Sequence, residues 1–134
     1  MGEFGSYKVL IREPHIDSYG HVNNAMYLSL YEEARWEAIT PRGFGFHDVH
    51  RLQQGPVILE VNIKFMKEIK LRETITITSS ILDYEGKIGH MKQQMIKDDG
   101  SVASEAVFTF GLFDLKARKM ILPTPEWKKA CGLE

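Results

Sequence analysis

Asn24-Ala25-Met26-Tyr27-Leu28-Ser29-Leu30-Tyr31-Glu32-Glu33-Ala34-Arg35-Trp36-Glu37-Ala38-Ile39 decides the fold of this chain. Tyr27, Leu30, Tyr31, Ala34 and Ala38 recur at intervals of three and four, the spacing of one helical face. Ser29, Glu32, Glu33 and Glu37 fall largely on the other faces. Asn23 or Asn24 supplies a side-chain oxygen to cap the first turn, and Pro41 and Gly43 stop the helix beyond Ile39. Sixteen residues at 1.5 Å each give a rod of roughly 24 Å. A helix that long with one apolar face needs a sheet to cover it.

The flanking sequence supplies that sheet. Upstream, residues 7–13 alternate as a strand until Pro14 removes a backbone donor. Residues 1–6 read as an extraneous or disordered N-terminus, which leaves 7–134 as a single domain. Downstream, 44–55 reads as a connection with one short helical turn. Val57-Ile58-Leu59-Glu60-Val61-Asn62-Ile63-Lys64-Phe65 then places apolar residues at every odd position, as a strand with one buried face does. Residues 73–78 do the same, and runs at about 88–97 and 102–113 are joined through Asp98-Asp99-Gly100-Ser101, a hairpin signal. These four strands are expected to form an antiparallel meander. Pro125 suits the first position of a last short helix. The order strand, helix, four strands predicts an α+β domain, with the sheet curled around the helix. The run 102–113 is apolar on both faces, which calls for a second copy to cover what one sheet leaves open.

The chemistry concentrates in Asp17-Ser18-Tyr19-Gly20-His21-Val22-Asn23-Asn24, which brings a carboxylate, a glycine turn and a helix N-terminus into one loop. Unsatisfied N–H groups and about half a positive charge at a helix start polarise a carbonyl and stabilise an oxyanion. A neighbouring carboxylate can attack an acyl carbon or take a proton from water. Taken alone, the same residues also describe a capped helix preceded by an Asp turn.

Resemblance separates the two readings. His15-Ile16-Asp17-Ser18-Tyr19-Gly20-His21-Val22-Asn23-Asn24-Ala25-Met26-Tyr27-Leu28 and Tyr31-Glu32-Glu33-Ala34-Arg35 resemble the D-x-x-G-H-V-N-N-x-x-Y-L and F-E-x-A-R pattern of hotdog-fold acyl-CoA thioesterases of the 4-hydroxybenzoyl-CoA thioesterase-like branch. The resemblance extends over nearly the whole chain. It implies an antiparallel sheet wrapped around one long central helix, and hydrolysis of acyl-CoA at sites between the subunits of a homodimer or homotetramer. It also implies that Asp17 is nucleophile or general base and that the backbone amide of Asn24 holds the thioester carbonyl. Gly20 would permit the turn, Asn23 would brace the loop, and His21 would contact substrate or the loop. Tyr27 would face the acyl pocket or the partner. The chain departs from the family in carrying His15 where relatives have an acid. It also lacks a substrate-placing serine near Gly89 and His90.

Rival readings have their own residues. Glu32 and Glu33 are alternative carboxylates, since another branch of the fold places its acid on the helix. An acyl carrier protein thioesterase and a non-catalytic acyl-thioester-binding module are alternative functions. Coenzyme A phosphates would call on Lys64, Lys67, Lys87, Lys92, Arg118 or Lys119. Phe65, Met66, Met91, Phe108 and Phe110 read as core or interface.

Composition excludes other classes. Seventeen Lys and Arg against eighteen Asp and Glu leave a net charge of −1, so no overall field draws the chain to nucleic acid. No apolar run reaches the length of a membrane span, and the N-terminus lacks the pattern of a signal peptide. The single cysteine, Cys131, forms no internal disulfide, and the expected compartment is the cytoplasm. His47 and His50 share a spacing of three without a third ligand in evidence, so neither a metal nor another cofactor is expected.

Overall fold

The computed structural model describes residues 3–133. Strand β1 (Glu3–Leu10) leads through a loop with a short 3-10 turn to helix α1 (Asn24–Ile39) and then to a two-turn helix, α2 (Phe46–Leu52). Four long strands follow: β2 (Gln54–Phe65), β3 (Thr74–Glu85), β4 (Ile88–Ile96) and β5 (Val102–Asp114). Strand β6 (Lys119–Ile121) and helix α3 (Pro125–Ala130) complete the chain. The sheet runs β1-β3-β4-β5-β2, with β6 also paired to β5, and every pairing is antiparallel. It curls around α1, giving the hotdog architecture.

The core follows from alternation. Ile75, Ile77, Ser79 and Ile81 of β3 point inward beside Met91, Gln93 and Met95 of β4 and Ala106, Phe108, Phe110 and Leu112 of β5. Tyr27, Leu30, Tyr31, Ala34 and Ile39 of α1 close over them. The helix bounds and its buried face agree with the sequence periodicity. Trp127 of α3 fills one end, edge-on to Phe44 at 4.9 Å and donating from Nε1 to the Tyr84 hydroxyl at 3.1 Å. Pro125 opens α3 as expected, behind a Thr124 cap whose hydroxyl accepts from the Trp127 amide.

Three expectations need correction. The N-terminal residues from Glu3 onward belong to the fold, since β1 pairs with β3 from Glu3 and Phe4 is buried in the core. Gly5 is required there, because a Cβ at this position would lie 2.7 Å from the Ala38 Cβ. Met1 and Gly2 fall outside the described residues. Second, the four long strands are not one meander. Only β3, β4 and β5 run consecutively, while β2 crosses to the far side of β5. Residues 66–73 carry the chain from one sheet edge to the strand beside β1, and alternation within a strand is silent about its neighbours. Third, β3 extends to Glu85: the inward position after Ile77 is taken by polar Ser79, which hid the alternation that runs on to Ile81, and a bulge between Ile81 and Asp83 follows.

Candidate active site

The loop before α1 is a tight hairpin. Ile16 bridges Val22, the Asp17 amide donates to the His21 carbonyl at 2.9 Å, and the Gly20 amide donates back to the Asp17 carbonyl at 3.1 Å. Gly20 sits at φ +87°, a left-handed conformation that only glycine adopts without strain. Two further bonds fasten the hairpin. The Val22 amide donates to the Ile69 carbonyl and the Asn23 amide to the His15 carbonyl, each at 2.9 Å.

Asp17 is half-buried at the mouth of this hairpin. Its Oδ1 accepts from the Tyr19 amide at 2.8 Å, and Oδ2 has no hydrogen-bond partner among the described residues. One oxygen fixes the carboxylate while the other is available. The helix begins seven residues on, with Asn23 in extended conformation (φ −62°, ψ 139°) as its cap. Asn23 Oδ1 accepts from the Ala25 amide and the Asn23 carbonyl from the Met26 amide, both at 2.9 Å. Among the first-turn amides, that of Asn24 is left without an acceptor among the described residues, and Asn24 is exposed. It is a free donor at the positive end of a sixteen-residue helix.

The other expected site residues are distributed around this pair. His21 gives its Nε2 to Glu68 Oε2 at 2.8 Å, a contact that ties the hairpin to the 66–73 segment. Tyr27 is buried, edge-on to Phe65 at 4.8 Å, and burial raises the pKa of its phenol. Lys67 shares the 66–73 segment with the residues that hold the hairpin. Lys87 and Arg118 belong to turns, and Lys119 opens β6, at the end of the sheet where β3 finishes.

Of the two rival carboxylates only Glu33 is committed to a partner among the described residues. The Tyr7 hydroxyl donates to Glu33 Oε2, and this bond, with burial, lifts the phenol to about 12. Glu32 lines a groove beside Arg35 and Ile58. His47 and His50 both lie edge-on to Phe46, and no cluster of three or more metal-ligating side chains occurs among the described residues.

Sequence reasoning missed a polar chain through the core. Gln93, fully buried, donates from Nε2 to Ser79 Oγ at 2.9 Å and to the Tyr31 carbonyl at 3.1 Å, and its Oε1 accepts from Arg35 Nη1 at 3.0 Å. The Tyr31 hydroxyl meets Ser104 Oγ at 2.8 Å. The signal was parity: Gln93 occupies the same face of β4 as Met91 and Met95, where an amide must find partners.

Comparison with known proteins places the chain in a family. Residues 9–131 match the model of the thioesterase-like superfamily. The chain is 34% identical over 116 residues to the long-chain acyl-CoA thioesterase FadM of Escherichia coli, covering 85% of this chain and 86% of that protein. The crystal structure of YbaW, a probable thioesterase from Escherichia coli, superposes with a TM-score of 0.82 at 31% identity, over 94% of this chain and 95% of that one. The hypothetical protein SAV2348 of Staphylococcus aureus, solved with CoA, superposes with a TM-score of 0.89 over 98% of this chain and 82% of that one. At 19% identity that likeness shows the fold alone. The protein described here belongs to the thioesterase-like superfamily.

No helix among the described residues is long and apolar enough to cross a membrane.

Proposed function

We propose that this protein hydrolyses acyl-coenzyme A thioesters, with Asp17 as the acid and the Asn24 amide as the oxyanion donor. The observation that carries the reading is the pairing of one free Asp17 oxygen with one free amide on the same hairpin-to-helix unit. Family membership and the likeness to a long-chain acyl-CoA thioesterase support the substrate class. The thioester carbonyl accepts from Asn24 N–H, and the helix end stabilises the negative charge that develops on that oxygen.

Two routes lead from there to products. In one, an Asp17 oxygen attacks the acyl carbon and the C–S bond breaks. Coenzyme A leaves as the thiolate, and water opens the resulting mixed anhydride. In the other, Asp17 takes a proton from water, the hydroxide equivalent attacks, and the same C–S bond breaks. Single turnover in heavy-oxygen water distinguishes them, since only the covalent route leaves label in Asp17.

The second copy called for by the sequence is proposed to join at β2. This edge strand of 12 residues leaves Ile58, Leu59 and Phe65 exposed, and its outer backbone has no partner strand among the described residues. Strand addition there would continue the sheet and cover the open flank of α1.

A thiol-release assay over aliphatic and aromatic acyl-coenzyme A thioesters tests the function. Asp17→Asn is expected to lose about a hundredfold or more in kcat. Full activity in this variant would move the acid elsewhere, and an inactive wild type on every thioester would overturn the reading.

A further inference from the structure

Arg35 is a half-buried cation packed against the core. Its guanidinium lies 4.5 Å above the face of Phe108 and donates one hydrogen bond, to Gln93 Oε1. No carboxylate stands within ion-pair distance among the described residues. Burial, opposed by the charge of Glu32, draws its pKa down to about 10. Gln93 is held in turn by Ser79 and Tyr31, so the arginine is fixed from below by a chain of buried polar groups and from one side by an aromatic face. No buried side-chain nitrogen or oxygen among the described residues lacks a partner. The nitrogens of Arg35 that make no protein bond therefore keep an accessible face.

Arg35 lines two spaces that share part of their walls. One is a cavity of about 90 Å³ between α1 and the sheet, with apolar walls that include Ile58, Met91, Phe110 and Trp127. The other is a groove along α1 that passes Leu28, Ser29 and Val61, open in the single chain and roofed by the second copy proposed to join at β2. Glu32, Arg35 and Ile58 line both. Leu28, Glu32 and Arg35 recur at helical spacing on the face of α1 that also carries Asn24, so the groove lies along that face and ends at the cation and carboxylate it shares with the cavity. Eleven positions of helix separate Asn24 from Arg35, about 16 Å, too far for an acyl group made of a single aromatic ring to span.

We propose that Arg35 determines acyl specificity by receiving the oxygen of a distally hydroxylated aliphatic acyl chain, whose thioester lies at the Asn24 amide. The inference rests on the thioesterase reading for the position of that thioester. A hydroxyl is the group that suits both charged neighbours, because it accepts from the guanidinium and donates to Glu32. A terminal carboxylate would satisfy Arg35 and be repelled by Glu32. A plain methyl end would leave the accessible guanidinium nitrogens without an acceptor, and that mismatch is the source of discrimination.

The test compares tetradecanoyl-coenzyme A with its terminally hydroxylated analogue. Hydrolysis is followed by thiol release, and binding of the non-hydrolysable thioether forms by calorimetry, for wild type, Arg35→Met and Arg35→Lys. The wild type is expected to favour the hydroxylated chain about tenfold or more in both kcat/KM and Kd. Arg35→Met is expected to bring that ratio to about one. Arg35→Lys keeps the charge without the planar fork and is expected to fall between, which preserves the test if the methionine variant does not fold. A wild type that binds and hydrolyses both chains equally overturns the proposal and leaves the thioesterase reading intact. Preferential binding without hydrolysis overturns the thioesterase reading alone, and binding of neither chain overturns both. A preference that survives Arg35→Met, with subunits dissociating instead, would make Arg35 an interface residue and also overturn the proposal.

Discussion

The Asn23 side-chain oxygen takes the amide hydrogen of Ala25 at 2.9 Å and thereby decides which first-turn donor is left over. Because the Asn23 carbonyl also takes the Met26 amide, the remaining free group is the Asn24 N–H. A cap residue in this position both stabilises the helix and decides that the amide left free is the one proposed as oxyanion donor.

Removing the donor without breaking the helix is possible here. Proline is tolerated at the first helical position, and Asn23 already has the extended conformation that a residue before proline requires. Asn24→Pro is expected to keep the helical circular dichroism and lose about a hundredfold in kcat relative to Asn24→Ala. Equal activity in the two variants would remove the backbone amide from the mechanism.

Asn23→Ala deletes the cap. The expected loss is about 1 kcal/mol of stability, read as a lower urea midpoint with an unchanged slope. Asn23→Asp keeps an acceptor at the same place and should restore the midpoint.

Phe4 tests whether the N-terminus belongs to the domain. It is buried against the core and sits on the paired part of β1, so Phe4→Ala is expected to cost about 3 kcal/mol. A substitution there that leaves the melting temperature unchanged would return residues 3–6 to the status of a dispensable extension.

Gln93→Leu replaces an amide that satisfies Ser79, Tyr31 and Arg35 together. Leaving those groups unpaired is expected to cost about 2 to 3 kcal/mol, measured by chemical unfolding. A neutral or stabilising result would mean that the neighbours rehydrate or repair among themselves.

Alkaline pH should destabilise the fold in a defined window. Burial pushes the Cys131 thiol up to about 12 from an ordinary 9.0, and burial likewise holds the Tyr84 phenol at about 12 against 10.0. Both groups bind their proton more tightly when folded. Their stabilisation is therefore complete below the unfolded values and is lost as pH rises from about 9 towards 12. Urea midpoints measured across this range should fall, with a later onset in Cys131→Ala. A flat profile in the wild type would show that neither group stays protonated at the cost of unfolding.

What the sequence made legible was local. Periodicity located α1 to its terminal residues, because Tyr27, Leu30, Tyr31 and Ala34 share a face wherever the sheet lies. Alternation located each long strand and Pro125 marked α3, but β2 does not bury the face its odd positions predicted: a bulge between Ile58 and Glu60 interrupts it, and Leu59 and Phe65 are exposed. The position of β2 beyond β5 depends on which edges meet, and strand pattern carries no record of that. Glu3-Phe4-Gly5-Ser6 concealed a strand because Gly5 is there to admit Ala38, a contact 33 positions away. In the site, Asp17, Gly20 and Asn23 could be read because their partners lie within a few residues. Arg35 and Gln93 are 58 positions apart, and only the closed sheet brings them together.

The hairpin and helix start also bear on how the family can diversify. Asp17, Gly20, Asn23 and Asn24 are placed by contacts within a dozen consecutive residues, plus two backbone bonds to flanking segments. The groove walls, by contrast, come from α1, β2 and β5. On the proposed reading, substitution at Ile58 or Val61 of β2 is expected to retune which acyl chain is admitted while the loop before α1 is inherited unaltered.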